Sequence, residues 1–434
     1  LSPALHIEFG RQSGLDFDYI AINVTPDEFP RAMELAREKL YGFNCTMPFK
    51  KLVVPYLDEI DEASKMLASV NTVLVHNKRL IGCSTDGAGM LDALTLSGCT
   101  IPNMQVLIVG NGGAALSIAH DLALGGAHIT ALVRSAEKGR IFADTLKDAA
   151  GLDAFSWTLA PDLTDDYDII INATPLGMSD GDASPVNLND FTRVKHVSDC
   201  IYDPPITALL LEAAKKGISW ENGLPMLVAQ GARSQKFWFN IEFSPEELSN
   251  TILSLRASRA KTRLNAVRGK ANIALTGFMG CGKTTIGKRL AQILDMNFVD
   301  LDAKIESEQR MKIAEIFEKH GELRFRELEA IACNDCLNLE NTIIATGGGT
   351  IIRDKNAEIL RSNSLILFLN RTFEQIEKNL EGSDSRPLLQ VHNVREHIRS
   401  LYEFRQPQYL ANADVCAYFP ENISDPAPYV LYYI

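Results

Sequence analysis

No apolar run in this 434-residue chain approaches the ~20 residues that cross a bilayer, so no membrane-spanning helix is expected. An excess of basic charge is missing as well. The 43 Lys and Arg stand against 55 Asp and Glu, a net charge of −12, which argues against a nucleic-acid partner, because such binding draws its affinity from basic patches. Dense cysteine spacing is absent. The eight cysteines, at 45, 83, 99, 200, 281, 333, 336 and 416, form no disulfide framework and point to a reducing, cytoplasmic setting. Cys333 and Cys336, in "RELEAIACNDCLNL", make the only CxxC; with no second Cys or His pair nearby to complete a zinc site, they read as ordinary helix cysteines. Solenoid repeats and low-complexity tracts are also lacking, and the visible N-terminus does not read as a secretory signal, although Leu1 is an unusual natural start. With 46% apolar and 23% charged residues, the chain reads as two to four globular domains.

Residues 1–100 alternate helical patterns such as "PDEFPRAMELAREKL" with short apolar runs such as "NTVLVH", an α/β unit with no dinucleotide motif. Over 101–255, strand patterns ("VLIVG", "ITALV", "DIIINAT", "HVSDCIY") alternate with helical stretches, the rhythm of a parallel doubly wound sheet. Two further helical stretches, "PITALLLEAAKKG" and "MLVAQGARSQKFWF", are expected to pack back toward the first unit. Residues 256–270, "RASRAKTRLNAVRGK", hold six Lys and Arg and no acid, and are expected to form a solvated helix end and basic linker. A third unit, 271–434, opens with the strand pattern "NIALTG".

Two nucleotide motifs stand out. In "VLIVGNGGAA" a strand pattern runs into Gly110, Gly112, Gly113, Ala114 and Ala115, and then into the helical "LSIAHDLALGG". The G-x-G-x-x-A spacing of Gly110, Gly112 and Ala115 lets backbone N–H groups and a helix dipole approach a dinucleotide pyrophosphate. After the next strand, "HITALV", no carboxylate is present to bond a ribose 2′-hydroxyl. Arg134 and Ser135 stand there instead and suit a 2′-phosphate, so NADP(H) is expected over NAD. The second motif, "GFMGCGKT", fits a P-loop from Gly277 to Thr284. Backbone N–H groups of Gly280, Cys281, Gly282 and Thr285 would cradle the phosphates of ATP, Lys283 would reach the β and γ oxygens, and Thr284 would ligate Mg²⁺.

Groups for chemistry lie near both motifs. "GFNCTMPFKK" places Asn44, Thr46 and Lys50 in a polar loop ahead of a helix, and "LIGCSTDGAGM" places Thr85 and Asp86 before a glycine turn. A Lys and an Asp brought together would make a proton-transfer couple. "FVDLD" is expected to end a strand with Asp300 and Asp302 on one face, one carboxylate serving the metal and the other orienting an acceptor hydroxyl. Arg326 in "GELRFRELE", the turn "ATGGGT" and Arg405 in "LYEFRQPQYL" would suit a small acid as acceptor.

In order, "LSPALH", "GFNCTMPFK", "SVNTV", "STDGAG", "GNGGAA", "INATPLGM" and "NGLPMLVAQ" resemble the motifs of shikimate dehydrogenase over about the first 240 residues. The resemblance implies that Lys50 and Asp86 shuttle the proton while hydride passes between NADPH and the ring ketone of 3-dehydroshikimate. It implies that Ser2, Asn44, Thr46, Asn71, Tyr202 and Gln230 hold the substrate, and that Asn172, Thr174, Met178 and Gly223 line the nicotinamide side. Two positions depart from the pattern. The first of the family's paired serines would precede Leu1, which makes 1–100 an N-terminally truncated substrate domain, and Ser84 stands where the pattern has Asn.

Residues 271 to about 415, with "FVDLDAKIE", "SRPLL" and the P-loop, resemble shikimate kinase. This implies that Asp302, Arg326, Gly347, Gly348, Gly349 and Arg405 bind shikimate, with Asp302 the base for its 3-hydroxyl. It also implies that Asp300 supports Mg²⁺ through water and that Arg386 is a lid arginine meeting the transferring phosphoryl. Asn379 stands where the family places an adenine-contacting Arg. The expected fold is α/β throughout: a substrate domain, a Rossmann NADP-binding domain and a P-loop domain of the nucleoside-monophosphate-kinase kind. The expected function is a bifunctional enzyme acting on 3-dehydroshikimate and shikimate, with homo-oligomerisation left open. A quinate/shikimate dehydrogenase in the front half and a non-catalytic shikimate-sensing regulator remain as rivals. Lys50, Asp86, Lys283 and Arg386 argue against the regulator.

Overall fold

The computed structural model describes residues 1–266, 269–380, 394–420 and 423–434. The chain divides into two compact units, Leu1–Ile252 and Leu253–Ile434.

The first unit contains two sheets. One is mixed, in the order β1 (Gly42–Asn44), β3 (Thr72–His76), β4 (Arg79–Cys83), β2 (Glu59–Ile60). β3 pairs antiparallel with β1 and β4, and β2 pairs parallel with β4. Val53, Val70, Val73 and Leu80 are buried in its core.

The other sheet is parallel, in the order β10 (Ser219–Glu221), β9 (His196–Asp199), β8 (Ile169–Asn172), β5 (Gln105–Val109), β6 (His128–Leu132), β7 (Phe155–Thr158). Its inner strands read as continuous apolar runs because both faces are covered. Val106, Leu107 and Ile108 are fully buried. The strand order reverses between β5 and β8, the switch point where a doubly wound sheet opens a crevice beyond its strand ends.

Helix Gly223–Phe239 ties this sheet to the first one. It packs along helix Asp86–Leu96 and against helix Ser2–Ser13, and Trp238 Nε1 donates to the Val73 carbonyl of β3 at 2.9 Å. Gly87 and Gly89 do not form the expected glycine turn. They lie inside helix Asp86–Leu96, where a Cβ on Gly89 would stand 2.6 Å from Gln230 Cβ, so glycine here serves helix–helix contact.

The expected basic linker at 256–270 is also different. Helix Pro245–Ala266 runs through its first part with Ala257, Ala260 and Leu264 buried, because apolar residues at three- and four-residue spacing give this cationic stretch a packed stripe.

The second unit is one parallel sheet in the order β12 (Asn297–Asp300), β13 (Thr342–Ala345), β11 (Asn272–Thr276), β14 (Ser364–Asn370), β15 (Val415–Tyr418). β11 is buried along its length, and the P-loop leaves its C-terminal end at the middle of the sheet. Asp302 is not on the strand with Asp300, as the alternation in "FVDLD" suggested. Asp300 Oδ1 accepts from Ala303 N at 3.2 Å, and this N-cap ends the strand and starts helix Leu301–Gln309.

Candidate active sites

Lys50 and Asp86 meet. Lys50 Nζ lies 2.6 Å from Asp86 Oδ2, with the carboxylate 5% exposed and the lysine 24%. Asp86 opens helix Asp86–Leu96, whose N-terminal dipole favours the anion. Lys50 sits in the short helix Phe49–Leu52 and Asn44 on β1, rather than both in a loop.

Asn71 is the hub of this site. Its Nδ2 is 2.9 Å from Asp86 Oδ1, 3.0 Å from Thr85 Oγ1 and 3.1 Å from Gln230 Oε1, while its Oδ1 accepts from Thr85 N at 2.8 Å. Asn44 joins through its Nδ2 to Asn71 O at 3.1 Å and to Thr72 Oγ1 at 3.0 Å. Thus Asn44, Lys50, Asn71, Thr85, Asp86 and Gln230 form one polar cluster. Ser2 begins its helix half-buried, Thr46 is exposed and Tyr202 is half-buried in the loop after β9. Tyr19, whose Oη donates to Asn44 Oδ1 at 2.8 Å, and Ser234, 2.9 Å from Thr72 Oγ1, belong to the cluster but carry no sequence motif that would single them out.

At the crevice, Gly110 adopts φ 111° and Gly112 caps helix Gly113–Leu124, which also carries Ala114 and Ala115. Arg134 is exposed just beyond β6, and Ser135 caps helix Ala136–Ala150, its Oγ accepting from Lys138 N at 3.4 Å.

Asn172 is fully buried and organises the facing loop. Its Oδ1 accepts from Thr174 Oγ1 at 2.7 Å, and its Nδ2 donates to Leu176 O at 3.1 Å and Asp199 Oδ1 at 3.0 Å. Burial pushes Asp199 up to about 6. Met178 is 53% exposed. Gly223 serves packing: a Cβ there would stand 2.1 Å from the Cys200 carbonyl oxygen.

In the second unit, Gly277, Gly280 and Gly282 take positive φ, which lets the loop wrap back before helix Lys283–Leu294. Lys283 Nζ donates to Gly277 O at 2.8 Å and Phe278 O at 3.1 Å, and Cys281 is buried beneath the loop. Thr284 Oγ1 donates to Asp300 Oδ2 at 2.7 Å.

Gly280, Cys281, Gly282, Lys283, Thr284, Thr285 and Asp300 line a cleft of about 1810 Å³ together with Asp302, Arg326, Gly347, Gly348, Gly349, Asn379 and Arg405. Its far wall is the glycine turn after β13. A Cβ on Gly347 would stand 2.7 Å from Asp302 Oδ1, one on Gly349 would stand 2.5 Å from Arg326 Nη1, and Arg405 Nη1 donates to Gly348 O at 3.3 Å. Bare glycines let three charged side chains converge here.

Two further residues hold that wall. Glu329, 1% exposed, accepts from Arg326 Nη1 at 3.0 Å and Thr350 Oγ1 at 2.7 Å, and Tyr409 Oη donates to Gly348 O. Their signal in the sequence was spacing: each lies one helical turn after an arginine already singled out. Asn379 Nδ2 donates to Gly280 O at 2.9 Å. Arg386 lies outside the described residues.

A relative from Staphylococcus epidermidis, an NADP(+) shikimate dehydrogenase, is 35% identical over 256 residues, which span 58% of this chain and 93% of that protein. The chain belongs to the shikimate dehydrogenase family. Residues 1–73 match the family model for the shikimate dehydrogenase substrate binding domain, and an Exiguobacterium shikimate dehydrogenase is 39% identical over 57% of this chain and 90% of its own length. The solved Thermus thermophilus shikimate dehydrogenase, in complex with NADP(H) and shikimate, covers 58% of this chain and 93% of itself at 28% identity and a TM-score of 0.53. A 5-ketofructose reductase of Gluconobacter covers 58% of this chain and 93% of itself at 32% identity and a TM-score of 0.53. Beyond this shikimate dehydrogenase part, residues 279–424 match the shikimate kinase family model. Among the described residues no helix is long and apolar enough to cross a membrane, and no group of three or more His, Cys, Asp or Glu is arranged to hold a metal.

Proposed function

We propose that the chain is a bifunctional shikimate-pathway enzyme that reduces 3-dehydroshikimate with NADPH and phosphorylates the resulting shikimate with ATP. The reading is carried by the Lys50–Asp86 pair in one unit, with the convergence of Asp302, Arg326 and Arg405 on a glycine turn beside a P-loop in the other.

The residues fit both cofactors. Nothing stands within 4 Å of a Cβ position on Gly112, so the N-terminus of helix Gly113–Leu124 faces space open to a pyrophosphate. Thr284 Oγ1 and Asp300 Oδ2, 2.7 Å apart, are hard oxygen donors of the kind Mg²⁺ takes directly or through water. When bound, NADPH supplies the hydride, and ATP with Mg²⁺ supplies an activated phosphoryl group.

In the front half, Lys50 delivers the proton to the ring oxygen as hydride arrives at the ring carbon, and Asp86 holds the ammonium in line. Asn71, Gln230, Asn44, Thr46, Ser2 and Tyr202 orient the hydroxyls and carboxylate. Arg134 and Ser135 receive the 2′-phosphate, and Thr174, Met178 and Gly223 border the nicotinamide, with Asn172 setting that loop. In the kinase half, Arg326 and Arg405 grip the shikimate carboxylate and Asp302 takes the proton of the 3-hydroxyl. Lys283, with Arg386, neutralises charge on the transferring phosphoryl. The eight free cysteines suit a cytoplasmic setting.

The likeness to a 5-ketofructose reductase favours a second reading, in which the front half reduces a different polyhydroxy ketone. One coupled assay tests both: purified protein with 3-dehydroshikimate, NADPH and ATP·Mg²⁺ should consume NADPH and form shikimate 3-phosphate. Phosphorylation of added shikimate without reduction of 3-dehydroshikimate would transfer support to the second reading. Failure of both steps would refute the proposal.

A further inference from the structure

Arg371 follows β14 on the floor of the kinase cleft in an environment unfavourable to a cation. It is 9% exposed, its Nε has no hydrogen-bond partner, and among the described residues no carboxylate forms an ion pair with it. Its guanidinium carbon lies 4.7 Å over the centre of the Phe419 ring, so a cation–π contact is its main compensation. Burial lowers its pKa, which marks the same lack of a partner. The backbone is pinned, since Tyr402 Oη donates to the Arg371 carbonyl at 2.9 Å. A buried charge without a partner costs stability that an anion would return.

The strand order says which part of a ligand could reach it. The P-loop leaves central β11. On one side, the ends of β12 and β13 carry Asp300, Asp302 and the turn Gly347–Gly349; on the other, the ends of β14 and β15 carry Arg371 and Phe419. Arg371 lines the same cleft as Lys283 and Thr284, beside Gln375, Lys378 and Asn379 of helix Phe373–Leu380. Asn379 is neutral and engaged with the Gly280 carbonyl, and Lys378 is exposed, where solvent screens its charge. With the phosphates on the P-loop and the acceptor on the β12–β13 side, the nucleoside end has the β14–β15 side left to occupy.

We propose that Arg371, stacked on Phe419, is the buried cation that holds the nucleoside end of the nucleotide, meeting its α-phosphate and ribose. The inference rests on the kinase reading and goes beyond it, because it assigns nucleotide affinity to a residue that neither the P-loop motif nor the acceptor turn includes. It also ties function to a stability cost, since the site holds an unpaired charge until nucleotide arrives.

The test uses the full chain. Binding of MgADP and phosphorylation of shikimate by the parent check the kinase reading on its own. Arg371→Met keeps an unbranched, apolar stem and removes the guanidinium and its charge. It should raise the MgADP Kd and the KM for ATP at least tenfold, leave the KM for shikimate within twofold, and leave the Tm of the ligand-free protein equal or higher. Arg371→Lys should recover part of the lost MgADP affinity, which also serves if the Met variant fails to fold. An Arg371→Met protein with lowered Tm and an MgADP Kd within twofold of the parent would overturn the proposal, making Arg371 structural. A Lys variant no tighter for MgADP than Met, or a loss confined to shikimate, would overturn it equally.

Discussion

Gly89→Ala isolates a contact on which the dehydrogenase site rests. Gly89 lies one turn after Asp86 and faces Gln230, where a Cβ would stand 2.6 Å from Gln230 Cβ, 2.8 Å from its N and 2.9 Å from its Cα. Ordinary contact begins near 3.4 Å, so helices Asp86–Leu96 and Gly223–Phe239 would have to part by about 0.8 Å. The obstructing atoms are backbone and Cβ, which cannot rotate away. Alanine gains about 1 kcal/mol of helix propensity over glycine, while overpacking of a tight contact costs roughly 1–3 kcal/mol. The net stability change is therefore small to moderate, at most about 2 kcal/mol of loss. Activity should suffer more. Asn71 Nδ2 already reaches Gln230 Oε1 at 3.1 Å and Asp86 Oδ1 at 2.9 Å, one from each helix, and cannot keep both as they separate. Losing one such bond at about 1.5 kcal/mol predicts roughly a tenfold fall in dehydrogenase kcat/KM. Initial rates of NADPH consumption and of shikimate phosphorylation, measured on the same preparation, check this, with the kinase constants expected to stay put. Parent-like dehydrogenase rates with unchanged Tm would refute the reasoning, since the helices would then have absorbed the methyl without moving the cluster.

Glu329→Gln should loosen Arg326, because its carboxylate is 1% exposed and bonds Arg326 and Thr350 together. A lost charge-assisted bond of about 1.5–3 kcal/mol predicts a ten- to hundredfold rise in the KM for shikimate with little change for ATP, and steady-state kinetics in both substrates would show it. Arg134→Ala should weaken NADPH by about 1.5–3 kcal/mol per bond lost and leave NADH nearly unchanged; equal losses by fluorescence titration would remove the 2′-phosphate assignment. Burial lowers His6 and His196 to about 4, so the unfolded chain binds more protons than the folded one between that pH and about 6.5, and stability should fall as pH drops through this window. Asp199, raised to about 6, acts with the opposite sign, contributing stability at low pH that is lost as pH rises toward 6. With two histidines against one aspartate, these groups predict a Tm rising from pH 4 to 6.5, which calorimetry across that range would test.

The nucleotide turns, the βα alternation and most of the clustered side chains were legible in the sequence because each is encoded locally. A strand, a glycine turn and a helix start lie within a dozen residues, and backbone geometry limits what such a run can become. Lys50 and Asp86 were paired by the resemblance, but their spacing could not join them, since 36 residues separate them. Only the packing of the short helix Phe49–Leu52 beside helix Asp86–Leu96 sets their 2.6 Å distance. The same limit explains the errors. "FVDLD" alternates like a strand throughout, yet Asp300 captures a backbone N–H and turns the chain into a helix. The glycines of "DGAGM" read as a turn because their use depends on other helices: Gly87 admits the backbone of Ser117, and Gly89 that of Gln230, more than a hundred residues away. The basic run at 256–270 reads as solvated until Ala260 and Leu264 are found buried. Composition and spacing thus determined which chemical groups and which local turns this protein has. Tertiary structure decided which of them meet, because burial and non-local contact depend on where distant segments pack.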